Sequence, residues 1–410
     1  MKLALITRRF PPESCGVGDC TARLAESWQQ QGHEVTVFVA SPEKSGSQKS
    51  EVRSPEEGIR VIRIKLDELR DVRAAAEAIA AAKPEQVQIE YSNYGWSRWG
   101  FAFHVDALVR ALRKNGLPVT VALHEFPLEF LQHPLHAGIS VVQRLHFARL
   151  VLGANEVLTN TQERVRILRR WFPWRRETIR FRPNSSNIPV AASNAERTAH
   201  LRAERAPGAA LVVAIFGMFH PAKHYEEVVE AAGQVRNELP IALWMLGNER
   251  QAQAAYLEKL RARVRANQLE GAVWWSGHLA AGELSAYLQA VDIFVLPQPD
   301  GHLTRSGSFM AAAAHGLAVI AVRNVENQKD FAHGENVWLV DANRAELFAQ
   351  AFRQLANDAA LRARLGKNLR ALYARKFAWE VAAAPRGKVV DGAEKTSGRT
   401  AETPQQRMTG

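Results

Sequence analysis

The chain has 410 residues, 47% of them hydrophobic, and a formal net charge of +11 at pH 7. That length suits two domains with a core each, and the apolar content is ordinary for a soluble protein. No apolar run approaches the roughly 18 residues that span a bilayer, and two cysteines, Cys15 and Cys20, cannot build a disulfide framework.

The opening Met1-Lys-Leu-Ala-Leu-Ile-Thr7 is too short in its apolar part for a leader, and two arginines and two prolines follow it. It reads as a buried first strand, and the expected location is cytoplasmic. Strands are predicted at 2–8, 34–40, 59–64, 86–91, 119–125 and 156–160, where β-branched or aliphatic runs lie between Gly, Pro or polar clusters. Helices are predicted near 19–31, 101–114, 137–153 and 162–171. Segment 41–55 reads as a surface loop, and 183–208 contains the expected interdomain linker.

The alternation restarts at Leu211-Val-Val-Ala-Ile-Phe-Gly217. Strands are predicted at 211–217, 241–247, 273–276, 292–297, 318–322 and 337–340. Helices are predicted near 224–237, 250–267, 281–290, 307–315, 344–357 and 359–376. The end, from Pro385, is polar and reads as disordered. Strands separated by helices predict parallel sheets, so the fold class is α/β, with two Rossmann-like doubly wound domains facing across a cleft.

Gly16-Val-Gly18 sits between the first strand and the first helix, where glycine lets a backbone approach a ligand and a helix start offers N–H groups to an anion. A plain tight turn is the alternative. Arg305-Ser-Gly-Ser308 opens a helix at the carboxyl end of strand 292–297. Ser306 is a predicted N-cap and Gly316 a predicted C-terminal cap, and Arg305 adds a bidentate cation for a diphosphate. Lys223 follows the strand at 211–217 and is placed to reach a phosphate.

His124-Glu125 ends strand 119–125, where a histidine can donate to a substrate hydroxyl or transfer a proton, or simply pack. Tyr91, Asn93, Tyr94 and Trp96 follow strand 86–91; aromatics among Ser and Asn suit a sugar ring, or else a packed loop. His133 and His136 lack further ligands, and no metal is expected. The run Arg169–Arg182 mixes arginines and tryptophans as an anionic membrane face does. A helix end and a strand with a solvated basic face is the other reading. Nucleic acid is not an expected partner, since no RNA or DNA motif is present.

These pieces in this order resemble the GT-B glycosyltransferases, in particular family 4 of retaining, nucleotide-sugar-dependent enzymes. They are Gly16-Val-Gly-Asp-Cys-Thr-Ala-Arg-Leu-Ala25, Gly32-His-Glu-Val-Thr-Val37, His124-Glu125, Asn184-Ser-Ser-Asn-Ile-Pro189, Phe216-Gly-Met-Phe-His-Pro-Ala-Lys223, Asp292-Ile-Phe-Val-Leu-Pro297, Ala314-His-Gly-Leu-Ala-Val-Ile320 and Gly334-Glu-Asn-Val-Trp-Leu-Val340. Phe377-Ala-Trp-Glu380 resembles the family's closing helix. The resemblance implies an acceptor domain at 1–188, a donor domain at 189–376 and a helix crossing back at 377–386. The tail at 387–410 follows.

It also implies hexosyl transfer from a nucleotide sugar to a glycan, lipid-linked or small-molecule acceptor in cell-surface polysaccharide or glycoconjugate biosynthesis, with no cofactor and no metal. Lys223 matches the family's phosphate lysine; Gly16 and Gly18 fall near the donor diphosphate and His124 near the transferred sugar. The net charge and the 169–182 run alone, and not the resemblance, add the expectation of a peripheral place at the inner membrane face. The family's Glu-x7-Glu positions fall on Leu303 and Ala311, and its phosphate arginine on Met218, which leaves ribose recognition unassigned. A non-catalytic sugar-nucleotide or glycan scaffold is the alternative, and a sugar-nucleotide epimerase a more distant one.

Overall fold

The computed structural model describes residues 1–13, 15–40, 51–53, 59–127, 134–249, 252–324 and 329–383, with backbone alone at 51–53 and 134–136. Most of the predicted loop 41–55, the predicted tail and the His133 and His136 side chains lie outside the described residues.

The first half is built on one sheet. Its strands are β1 (Lys2–Thr7), β2 (Glu34–Ala40), β3 (Glu51–Arg53), β4 (Arg60–Ile64), β5 (Gln86–Tyr91), β6 (Val119–Leu123), β7 (Glu156–Thr159) and β8 (Ile179–Phe181). They lie in the order β3-β4-β2-β1-β5-β6-β7-β8. All neighbours pair in parallel except β3, which pairs antiparallel with β4 inside the stretch read as a loop. The apolar alternation runs to both faces, so helices cover both. Helices α1 (Gly16–Gln30), α2 (Val72–Ala81), α3 (Asn93–Trp96), α4 (Phe103–Lys114), α5 (Pro134–Gly153) and α6 (Gln162–Trp171) connect the strands.

The second half repeats this with β9 (Leu211–Phe216), β10 (Ile241–Leu246), β11 (Val273–Trp275), β12 (Ile293–Leu296), β13 (Ala318–Val322) and β14 (Trp338–Val340). They form an all-parallel sheet in the order β11-β10-β9-β12-β13-β14. Helices α7 (Ala195–Arg205), α8 (Glu226–Val235), α9 (Ala254–Ala266), α10 (Ala281–Gln289), α11 (Gly307–His315), α12 (Ala345–Asn357) and α13 (Ala359–Lys376) flank it. One core, with Val228, Leu260 and Phe352, covers one face; another, with Trp244, Phe309 and Leu369, covers the other. Helix α7 shortens the predicted linker: Asn194 caps it by accepting from the Arg197 N–H at 2.8 Å, and Leu201 packs into the second core.

Strand order reverses between β1 and β5 in the first sheet and between β9 and β12 in the second. Loops leaving the carboxyl ends of strands beside such a switch point form ligand crevices. Here those loops carry Cys15–Val17 and Ser92 on one side and Lys223 and Gln298–Gly307 on the other, and the two sets line one cavity. After α13, the short helix α14 (Trp379–Ala382) reaches the first half. The Trp28 indole donates to the Ala383 carbonyl at 2.5 Å, and the Trp379 indole donates to the Ser186 carbonyl at 2.7 Å.

Candidate active site

A cavity of about 540 Å³ lies between the two sheets. The start of α1, Ser92, His124, Glu125, Asn160 and Arg164 line it from the first half. Lys223, Gln298, His302, Arg305, Ser306 and Gly307 line it from the second. A second cavity of about 480 Å³ shares Asn187 with it and runs past Met218, Gly247 and Asn248 to His278.

Two helix N-termini open on the first cavity. The predicted Gly16-Val-Gly18 turn is the first turn of α1, so the helix begins three residues before its predicted start. Gly16 and Val17 line the cavity, and a Cβ on Gly16 would meet nothing within 4 Å. Gly18 does not line it. A Cβ there would lie 2.7 Å from the Arg9 carbonyl oxygen, so this glycine serves packing rather than the donor site. Opposite, Ser306 caps α11 as its sequence predicts, accepting from the Phe309 N–H at 3.2 Å, and Gly316 closes the helix at φ 70°. Gly307 faces the cavity, whereas Ser308 is turned to the Ser306 hydroxyl at 3.1 Å. The early N–H groups of such helices have no intrahelical partner and favour an anion.

Three cations join them. Lys223 sits in the tight turn after β9, and no hydrogen bond or ion pair holds its ammonium among the described residues. Burial, and then Arg305 nearby, hold its pKa below the ordinary lysine value. Arg305 is paired with Asp300 in its own loop. Arg164, which the sequence reading does not single out, donates to the His124 carbonyl at 3.0 Å and to Asn160 at 2.8 Å, and lies over the Phe126 ring at 4.8 Å. Burial, and then Arg305, push its pKa down to about 10. Its only sequence signal is its place in the first turn of α6, just past the carboxyl end of β7.

The loop carrying Arg305 is pinned to the first half. Asn184 donates from its backbone to the Thr304 carbonyl at 2.8 Å and from its side chain to the Arg305 carbonyl at 2.6 Å. Thr304 donates to the Asn160 carbonyl at 2.9 Å.

His124 lines the cavity with its ring fixed from below. Its Nε2 lies 2.5 Å from Glu90, which Arg182 also engages at 2.9 and 3.1 Å. Glu90 is fully buried. Burial alone would raise its pKa, but Arg182 and His124 override this and hold the carboxyl far below the usual range. This leaves Nδ1 as the ring nitrogen for a ligand. Beside it, the Glu125 carboxylate accepts from the Tyr94 N–H at 3.2 Å. Cys20 also lines the cavity, but burial, then Glu90, push its thiol up to about 12, so it is no nucleophile at neutral pH.

The proposed sugar-stacking segment divides. Tyr91 and Trp96 are core residues, packed with Val105 and Phe147, and cannot stack on an acceptor. Asn93 is buried and donates to the Phe126 carbonyl at 3.1 Å. Tyr94 alone of the four is exposed, and it is joined by Trp99, whose carbonyl accepts from Gln143 at 2.9 Å. The Arg169–Arg182 run divides as well: Trp171 and Trp174 are exposed, but half of its arginines turn inward. Arg169 donates to the Ile179 carbonyl, Arg175 to those of Leu152, Ala154 and Asn155, and Arg182 to Glu90.

Leu303 and Ala311 are both fully buried. No side chain at either position can take the place of the glutamates that the resemblance leads one to expect there. Met218 is exposed at the mouth of the second cavity. Among the described residues no group of three or more His, Cys, Asp or Glu side chains is placed to hold a metal.

Two parallel-sheet domains with a cationic cleft at their switch points constitute the GT-B fold. The chain belongs to the group 1 glycosyltransferases: residues 210–358 match the family described as "Glycosyl transferases group 1", and residues 15–185 match the "Glycosyl transferase 4-like domain". A lipopolysaccharide core biosynthesis glycosyltransferase of Rhizobium meliloti is 29% identical over 161 residues, a match spanning 39% of this chain and 44% of that protein. Sucrose-phosphate synthase from Thermosynechococcus elongatus superposes with a TM-score of 0.69 at 20% identity, covering 93% of this chain and 96% of that one. HepE from Anabaena, in complex with UDP and glucose, superposes with a TM-score of 0.69 at 15% identity, covering 92% and 96%.

Proposed function

We propose that the protein transfers a hexosyl group, with retention of anomeric configuration, from a nucleotide sugar to a hydroxyl of a glycan, lipid-linked or small-molecule acceptor. The observation that carries this reading is the cluster of Lys223, Arg305 and Arg164 between the starts of α1 and α11, with Lys223 in no ion pair among the described residues. A half-buried ammonium and two helix N-termini converging on one cavity suit a diphosphate.

In this reading the diphosphate lies against Gly307, Lys223 and Arg305, and the nucleoside extends into the second cavity. The sugar points to His124, whose Nδ1 meets a hydroxyl, and to Glu125. The acceptor enters past Tyr94. The C1–O bond to the phosphate breaks and the acceptor oxygen bonds C1 on the same face. The acceptor proton passes to the leaving phosphate oxygen. Fixed cations and N–H groups stabilise the charge that develops there without reorganising. No protein-bound metal or cofactor is needed.

The likeness to a lipopolysaccharide core enzyme favours an acceptor in cell-surface polysaccharide or glycoconjugate biosynthesis. We place the protein in the cytoplasm, at the inner membrane face; among the described residues no helix is long and apolar enough to cross a membrane. A second reading, a sugar-nucleotide or glycan scaffold without turnover, is favoured by buried Leu303 and Ala311.

Thermal shifts with UDP, GDP, ADP and TDP and their common sugars test the donor half. Stabilisation by one nucleotide, lost in Lys223→Ala, is expected. Equal stabilisation of the variant would overturn the donor site. Donor binding without transfer to any acceptor would select the scaffold.

A further inference from the structure

We infer that Asn187, in the segment joining the two halves, holds a ribose hydroxyl of the donor in place of a carboxylate on α11. This deepens the proposed donor reading and rests on it.

The place of the ribose follows from the two cavities. In that reading the diphosphate occupies the first and the nucleoside enters the second, so the ribose is the group that passes between them. Asn187 is the one described residue that lines both. Ala311, fully buried, brings no acceptor from α11.

The side chain of Asn187 is largely unspent. Its Nδ2 donates to the Gly16 carbonyl at 3.3 Å, which fixes the orientation of the amide, since Oδ1 cannot face a carbonyl oxygen. Oδ1 is buried and accepts no hydrogen bond among the described residues. An acceptor withdrawn from water without a donor is costly, and folded proteins tolerate few of them. The second N–H of the amide also has no partner among the described residues. A vicinal diol suits this pair, because one hydroxyl donates to the amide oxygen while its neighbour accepts from the N–H. A phosphate has only acceptor oxygens to offer and would leave Oδ1 unpaired.

The backbone around Asn187 is held on both sides. The Ser186 hydroxyl donates to the Ile188 carbonyl at 2.8 Å, and the Trp379 indole donates to the Ser186 carbonyl at 2.7 Å. Arg23 donates to the Asn187 carbonyl itself at 3.3 Å. Little is left to order when a ligand arrives. Two other acceptors border the cleft, and neither stands at the junction. Gln298 has a buried, unpartnered Oε1 but lines the first cavity alone. Asp19 lines the second alone.

The test is calorimetric titration of the full chain with the ribo, 2′-deoxy and 3′-deoxy forms of UDP, GDP and ADP. Wild type is expected to bind one ribonucleotide about three- to tenfold more tightly than at least one of its deoxy forms, the effect of one neutral hydrogen bond. Asn187→Ala should bind the ribonucleotide as weakly as wild type binds that deoxy form and should no longer distinguish the two. Its melting temperature verifies folding. A wild type that does not prefer the ribonucleotide would overturn the inference whatever the variant does. So would an Asn187→Ala protein that binds every form more weakly in the same proportion, because the residue would then only shape the linker. A preference lost in Asp19→Asn but kept in Asn187→Ala would assign the hydroxyl to Asp19 and overturn it as well. Binding of no nucleotide, by contrast, would sink the donor reading itself.

Discussion

Glu90–Arg182 and Lys223–Arg305 lie on opposite sides of one cleft and differ in a single respect. Arg182 is largely covered, its side chain 11% exposed, yet the Glu90 carboxylate raises its pKa above the ordinary value. Lys223 is also well covered, but burial and Arg305 lower its pKa. The first cation is already neutralised and holds the fold. The second lies beside another cation and forms no ion pair among the described residues; Asp300, which Arg305 engages, offsets its depression only in part. Where a protein leaves such charges uncompensated, a ligand is expected to compensate them.

The largest effect is expected where neutralisation is complete. Glu90→Gln leaves the largely covered Arg182 without its partner and should cost about 3–5 kcal/mol in denaturant unfolding. A loss within experimental error would mean that solvent compensates Arg182 as well as Glu90 does.

His146 gives a pH test on the same side of the cleft. It is buried, with Nε2 at 2.9 Å from the Ala102 carbonyl, and burial pushes its pKa down to about 4. The unfolded chain therefore takes up this proton first as pH falls. The neutral ring's contribution is full above about pH 6.5 and is lost progressively toward pH 4, by roughly 3 kcal/mol. The slope of melting temperature against pH should flatten in that window in His146→Gln. An unchanged slope would remove His146 from the account.

The glycines of the first α1 turn sharpen the contrast at smaller scale. Gly18→Ala meets the Arg9 carbonyl and should destabilise by about 1–3 kcal/mol. Gly16→Ala meets nothing in the protein, so its melting temperature should hold while affinity for a nucleotide sugar falls by several-fold. Unaltered affinity would remove Gly16 from the donor site.

The same contrast marks what the sequence discloses. Strands of the second half fall within a residue or so of the predicted positions, because period and punctuation are local signals. Helix α2 escapes notice because its run Val-Arg-Ala-Ala-Ala-Glu-Ala-Ile-Ala-Ala buries only small residues and two larger ones. Lys223, Arg305 and His124 are legible because each follows a strand at its carboxyl end. Arg164 is not, since it is one of several arginines in a helix. Glu90 and Arg182 are 92 residues apart and show no spacing that would link them. Tyr91 and Trp96 mislead because an aromatic beside Ser and Asn reads alike whether it packs inward or meets a sugar.

The central claim is that Lys223, with Arg305 beside it, receives a nucleoside diphosphate. Calorimetric titration of UDP, GDP, ADP and TDP into wild type and Lys223→Ala at one ionic strength tests it most directly. The account predicts that one nucleotide binds the wild type and binds the variant about 10–100-fold more weakly, a loss of about 1.5–3 kcal/mol for a charged hydrogen bond. The variant's melting temperature without ligand should be unchanged or higher. Equal affinity in the two proteins, or binding of none of the four, would contradict it.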